Sequence, residues 1–141
     1  FRGFLDAHEK VGVQPNKEIL FHTGYDYEAG ETSMSQILET GEACSAVIVS
    51  MLTCAAGAYS VMQRNNLAVG RDIAMATLHK GVLTDALELT YVSLPTFEVG
   101  FKGANALLDV MEQKREHIQM QLEPLELVIR KSTMQSFEAR L

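Results

Sequence analysis

The stretch Ser45-Ala46-Val47-Ile48-Val49-Ser50 decides the fold class of this chain. It is a continuous run of small and β-branched apolar residues, which is typical of a strand that is buried on both faces of a parallel sheet. The apolar residues that follow it recur at helical spacing: Leu52, Ala55, Ala56, Tyr59 and Met62. A buried strand followed at once by a helix is the beginning of a βαβ unit.

The same alternation extends outward from this stretch in both directions. Apolar runs predict further strands at 18–22, 73–78, 89–94 and 125–130. Helical periodicity predicts a helix that Gly12 ends, a second helix that Thr32 or Ser33 caps and Gly41 ends, and a last long helix from Phe97 to Met111. The predicted fold is therefore a three-layer α/β fold, with a mostly parallel sheet and helices on both of its faces.

The predicted topology also indicates where a ligand would bind. In open α/β sheets, ligands sit beyond the carboxyl ends of the strands. Tyr25, Met51 and His79 follow three of the predicted strands, so we expect them and their neighbours to form the functional edge.

Composition and charge limit the function classes. A length of 141 residues fits one domain, and 47% hydrophobic with 21% charged residues is ordinary for a globular protein. The formal net charge is -6 and no basic stripe is visible, so we do not expect this chain by itself to bind DNA. The longest apolar stretch is broken by small polar residues, so no membrane span is predicted.

Motifs of enzymes and metal sites are absent from the sequence. It contains no GxGxxG, P-loop, GxSxG or HExxH pattern, and its four histidines are scattered over different predicted elements. Cys44 and Cys54 lack metal-ligand spacing, and we interpret them as small buried apolar residues in a reducing compartment. The sequence predicts neither enzymatic activity nor a metal or cofactor.

Six segments together resemble one family, the lactose/galactose repressor regulators. In chain order they are Arg2-Gly3-Phe4-x-x-Ala7, 50–58 with its AxGA ending, 67–73, Leu89-Thr90-Tyr91-Val92, 97–108 and 127–133. Each segment is short, but they occur in the family's order with matching gaps and cover nearly the whole chain. The chain is therefore identified as a member of this family.

The resemblance implies a type I periplasmic-binding-protein-like fold of two lobes, which close on a small effector behind an N-terminal helix-turn-helix. Residues 1–95 and 117–135 would form the second lobe, and 96–116 a helix that packs on the first lobe. The helix-turn-helix and most of the first lobe would be absent, since the chain begins at Phe1 without an initiator methionine. We then expect the Phe97, Phe101 and Leu108 face to lack its natural cover.

The implied function is that of the effector-sensing and dimerisation portion of a cytoplasmic bacterial transcription regulator. Such a protein reaches operator DNA only through its N-terminal domain, and the membrane plays no part. A periplasmic solute-binding protein or receptor of the same fold is the alternative, and the upstream sequence would distinguish the two.

The resemblance places six residues at the effector site: Tyr25, Met51, Leu52, His79, Lys80 and Leu94. Apolar residues replace the family's usual Asn-Asp pair and glutamine, at Met51, Leu52 and Leu94. A buried hydroxyl without a partner costs about 1 to 3 kcal/mol, so a neutral sugar would bind poorly here. We expect an aromatic or anionic metabolite held by Tyr25 and by His79 with Lys80, or else a collapsed cleft without an effector.

Family members form dimers, and the resemblance suggests the helix after the central strand as an interface. The candidate interface residues are Ala55, Ala56, Tyr59 and Met62. The alternative is that the small residues of this helix only let it pack tightly on its own sheet.

Overall fold

The computed structural model describes residues 1–112, 114 and 125–138 of the 141. The chain runs through six α-helices and four strands within these ranges. In order they are α1 (Arg2–Lys10), α2 (Tyr27–Glu39), β1 (Ala46–Val49), α3 (Leu52–Arg64), β2 (Ala74–Thr77), α4 (Val82–Ala86), β3 (Thr90–Ser93), α5 (Thr96–Met111), β4 (Glu126–Val128) and α6 (Lys131–Glu138). The predicted α/β fold is confirmed.

The four strands form one sheet in the order β1-β2-β3-β4. The first three strands are parallel, and Val49, Thr77 and Tyr91 lie side by side across them. The last strand, β4, pairs antiparallel with β3. No residue of α5, the helix between these two strands, is buried, so α5 is not a crossover helix packed on this sheet.

The predicted strand at 18–22 is wrong. Lys17–Ile19 is a 3-10 turn, and the residues after it form no ladder with the described strands. The backbone N–H of Glu18 donates to Asn16 Oδ1 at 2.9 Å, a local bond that competes with strand pairing. The apolar residues Ile19 and Phe21 pack against the core without forming a strand.

The predicted start of α2 at Thr32 or Ser33 is also wrong. The N-cap is Asp26, whose carboxylate accepts from the backbone N–H of Ala29 at 2.8 Å. Both predicted glycine stops are confirmed, because Gly12 and Gly41 have φ values of 68° and 69°. The sequence interpretation missed α4 and α6.

Two glycines let α2 and α3 cross at close range. A Cβ atom on Gly30 would lie 2.0 Å from the carbonyl oxygen of Cys54, and one on Gly57 would lie 2.0 Å from that of Tyr27. The two helices therefore touch backbone to backbone. Beside this crossing lies the core, formed mainly by methionine, alanine and branched aliphatic side chains: Met34, Ile37, Ala55, Ala58, Val61, Met62, Ile73, Met75 and Leu89.

A buried serine at the beginning of α6 bonds two neighbouring strands of the sheet. Ser132, only 2% exposed, donates its hydroxyl to the carbonyl oxygen of Met75 at 2.6 Å and accepts from the N–H of Thr90 at 2.8 Å. The Thr90 hydroxyl in turn accepts from the N–H of Arg130 at 2.9 Å. We call residues 130–132 the clasp, because they bind both β2 and β3.

The apolar side of α5 is exposed, as expected. Phe97 is 77% exposed and stacks on Phe101 with 6.1 Å between the ring centroids. Leu108 is exposed on the same helix.

Across the described ranges, none of the helices is both long and apolar enough to cross a membrane.

Candidate functional site

The carboxyl ends of β1, β2 and β3 form one edge of the sheet. Because the three strands are parallel and in register, the residues that follow Val49, Thr77 and Ser93 emerge at the same edge. Five of the predicted effector residues lie in these connections or next to them: Met51, Leu52, His79, Lys80 and Leu94. We call this region the effector edge; its binding role remains a prediction.

Two hydrogen bonds from α3 to backbone carbonyl oxygens hold Tyr25 next to this edge. The hydroxyl of Thr53, in the first turn of α3, donates to the carbonyl oxygen of Tyr25 at 2.5 Å. The Cys54 thiol, whose pKa is raised chiefly by burial and which therefore keeps its proton, donates to the carbonyl oxygen of Gly24 at 3.5 Å. The side chain of Tyr25 is 75% exposed, so its ring is free to stack on a ligand.

Leu52 links the connections that follow β1 and β2. A Cβ atom on Gly81 would lie 2.4 Å from Leu52 Cδ1, so the leucine side chain covers the backbone of Gly81. The hydroxyl of Thr84 donates to the carbonyl oxygen of Gly81 at 2.6 Å and accepts from its N–H at 3.0 Å. Gly81 is thereby fixed at the start of α4, immediately after His79 and Lys80.

Basic side chains and backbone N–H groups lie at the effector edge, and the Asp26 carboxylate lies beside Tyr25 at the N-cap of α2. Lys80 is exposed and His79 half-buried at the end of β2. The N-cap of α3 is Met51, which has no side-chain acceptor for the first-turn N–H groups at the positive end of the helix dipole. Met51, Leu52 and Leu94 are half-buried and apolar, so their side chains add no hydrogen-bonding group.

Thr77 falls within the predicted strand at 73–78 and was not among the candidate site residues. Its hydroxyl, in a residue 1% exposed, is the one buried side-chain polar atom of the described residues without a hydrogen-bond partner. A buried hydroxyl in this state costs about 1 to 3 kcal/mol. The signal in the sequence is a single polar residue at the end of an otherwise apolar strand.

Arg130 is a second residue whose position the sequence did not reveal. Its guanidinium donates to Asp85 Oδ1 at 2.7 Å and lies 5.1 Å from the centre of the Tyr91 ring. The hydrogen bond and the charge of Asp85 raise the pKa of Arg130, so the side chain stays charged.

The structure corrects half of the candidate dimer interface. Ala55 and Met62 belong to the core and are fully buried within this chain, so their side chains cannot contact a partner. Ala56 and Tyr59 are half-buried on the same helix and stay candidates. Gly57 lies among the small residues of this helix and contacts the backbone of α2. This contact explains why a side chain is absent at this position.

No group of three or more histidine, cysteine or acidic side chains that could hold a metal ion occurs in the part of the chain that the structure describes.

Comparison with known proteins identifies the family. The profile of the periplasmic binding protein-like domain matches residues 1–133. The transcriptional repressor CytR of Escherichia coli K12 is 28% identical over 134 residues, which are 94% of this chain and 39% of the repressor. The chain thus spans about two fifths of the curated relative.

Solved structures show the same fold. The transcription regulator CcpA of Lactococcus lactis superimposes with a TM-score of 0.82 at 23% identity, over 93% of this chain and 48% of that one. The regulator CelR in complex with cellobiose gives a TM-score of 0.85 at 21% identity, over 93% of this chain and 41% of that one.

These findings confirm the resemblance to the lactose/galactose repressor regulators, and the curated relative named above is a repressor and not a solute-binding protein. The chain belongs to the periplasmic binding protein-like domain family.

Proposed function

We propose that this chain is the effector-sensing and dimerisation portion of a bacterial transcription regulator, which controls DNA binding in response to a small metabolite. The observation that carries the proposal is the effector edge, in a chain that is similar to a repressor over 94% of its length. Operator DNA would be bound by a separate N-terminal domain, and the regulator would act in the cytoplasm.

The domain boundaries follow from the same proposal. Residues 1–95 and 117–135 would form the second lobe, and 96–116 would pack on the first lobe. The exposed aromatic face of α5 supports this assignment, because an apolar face of this size is usually covered by another surface. Residues 113 and 115–124 of these ranges lie outside the part that the structure describes.

The effector that fits the edge is an aromatic or anionic metabolite. The exposed ring of Tyr25 would stack on a planar ligand, while Lys80 and His79 would bind a phosphate or carboxylate group. Neutral sugars are disfavoured, because Met51, Leu52 and Leu94 offer no side-chain partner to their hydroxyls.

We expect calorimetry of the intact protein to detect sugar phosphates or nucleoside monophosphates, and not neutral monosaccharides. Lys80→Met is expected to weaken binding of such an anion about tenfold, the effect of one lost charged hydrogen bond. Lys10→Met, which removes an exposed lysine of α1, is the matched control and is expected to leave the affinity unchanged. Tight binding of a neutral monosaccharide would overturn the proposed effector class, and binding of none of these compounds would favour a collapsed cleft.

The proposed dimer is tested at the partly exposed side of α3. Tyr59→Glu places a charge on the half-buried surface that we propose meets the partner, and burying an unpaired charge there is costly. We expect light scattering to show two chains per particle for the wild type and one for the variant. Gln14→Glu, at an exposed position outside α3, is the control, and an unchanged mass in both variants would contradict an interface at α3.

A further inference from the structure

Arg130 makes several contacts from one side chain. Its Nη1 atom donates to Asp85 Oδ1 at 2.7 Å and to the carbonyl oxygen of Thr84 at 3.2 Å. Its guanidinium carbon lies 5.1 Å from the centre of the Tyr91 ring, which limits the orientations of the charged group. The side chain is 27% exposed, whereas that of the neighbouring Lys131 is 70% exposed.

Both hydrogen-bond partners of this guanidinium belong to α4, which directly follows the connection after β2. Within α4, Thr84 also closes the helix start, because its hydroxyl bonds both the N–H and the carbonyl oxygen of Gly81. Gly81 in turn supports Leu52, which follows β1. Arg130 therefore contacts the residue that fixes the end of the loop His79–Gly81.

The backbone around Arg130 is anchored to the strands β2 and β3. Its N–H donates to the Thr90 hydroxyl, and Ser132 bonds the backbones of both Met75 and Thr90. The guanidinium therefore extends from a segment that is fixed to β2 and β3. It ties α4 to the same strands whose carboxyl ends form the effector edge.

We infer that Arg130 is a positioning residue for the effector edge, which holds the loop His79–Gly81 in place through Asp85 and Thr84 of α4. That this loop binds an effector rests on the proposed function. That Arg130 keeps the loop ordered rests on the hydrogen bonds described above. Lysine would not replace it, since a single ammonium group cannot match the planar group that bonds α4 and stacks on Tyr91.

The test measures amide hydrogen exchange in the intact protein, by mass spectrometry with peptide resolution. In Arg130→Met we expect the amides of residues 79–86 to exchange about tenfold faster, the factor that corresponds to a lost charged hydrogen bond. Those of β1 and α3 are expected to stay unchanged. Asp85→Asn, at an exposed position, is expected to give a smaller increase in the same residues and guards against misfolding of the first variant.

Lys131→Met is the matched control. The Lys131 ammonium group also forms a bond to a residue far away in sequence, donating to Glu88 Oε2 at 2.8 Å. Glu88 does not belong to α4. Exchange in this variant is expected to match the wild type. Unchanged exchange of residues 79–86 in Arg130→Met, or the same increase in every element, would overturn the inference.

Titration with inorganic phosphate separates this inference from the proposed function. If phosphate binds the wild type and binds Arg130→Met more weakly, the positioning of a binding loop is supported. If phosphate binds neither protein while the loop still exchanges faster in the variant, the proposed anionic effector is contradicted and the ordering role of Arg130 stands.

Discussion

Gly30→Ala is expected to lower the melting temperature by about 10 °C, because the methyl group would enter the backbone of α3. Its Cβ atom would lie 2.0 Å from the carbonyl oxygen of Cys54 and 2.7 Å from the Cα atom of that residue. A backbone in contact cannot rotate away as a side chain can, so α2 and α3 would have to separate. We estimate a loss of about 3 kcal/mol, at the upper end for an overpacked core. Thermal unfolding of the intact protein, followed by circular dichroism, measures it.

A matched glycine on another helix provides the control. Gly3 lies within α1, and a Cβ atom there would have no neighbouring atom within 4 Å. Gly3→Ala is expected to be neutral or to stabilise by about 0.5 to 1 kcal/mol, since alanine is the better helix former. Equal melting temperatures for the two variants would contradict the close crossing of α2 and α3.

Ser132→Ala is expected to destabilise the protein by about 3 kcal/mol, because two buried backbone groups lose their partner at once. The carbonyl oxygen of Met75 and the N–H of Thr90 would both remain buried without the hydroxyl that now bonds them at 2.6 and 2.8 Å. Urea unfolding gives the change in the free energy of unfolding as a shift in midpoint.

Ser33→Ala is the companion variant for this measurement. The Ser33 hydroxyl donates to the carbonyl oxygen of Ala29 within α2, one turn earlier on the same helix. Its loss is expected to change stability by less than about 0.5 kcal/mol, because that carbonyl oxygen also accepts a bond of the helix itself. If the two serine variants unfold at the same urea concentration, the clasp does not hold the sheet as described.

The parts of the fold that the sequence predicted are those that local patterns determine. β1, β2 and β3 are short apolar runs bounded by turn residues, and only two residues separate β1 from α3, so the parallel direction of these strands follows from the alternation of strand and helix. The placement of Met51 and His79 at one edge follows from the same rules, whereas Leu94 was assigned to the site by the family resemblance. Tyr25 was expected at this edge because of a strand at 18–22, which does not form.

The errors arose where contacts across the chain decide the local structure. The run at 18–22 has the composition of a strand, but Asn16 binds the backbone at Glu18 and the apolar side chains reach the core from a turn. The antiparallel direction of β4 depends on the exposed α5, whose path no periodicity reveals.

In the candidate site too, local patterns were predicted and contacts between distant residues were not. Helical spacing grouped Ala55 and Met62 with Tyr59, but α3 packs both on α2 and on the sheet, so more than one side of it is buried. Burial of Ala55 and Met62 could not be read from spacing alone. Likewise the bond of Arg130 to Asp85 spans 45 residues and leaves no local pattern.

The clasp also sets an order of events for a nascent chain on the ribosome. Met75 and Thr90 precede their common partner Ser132 by 57 and 42 residues, so β2 and β3 emerge long before their backbones are satisfied. Until translation has passed the clasp, the growing sheet carries unpaired polar groups and exposed apolar surface, which are the features that chaperones bind and aggregation exploits. Completion of this sheet therefore waits until the residues of the clasp have left the exit tunnel.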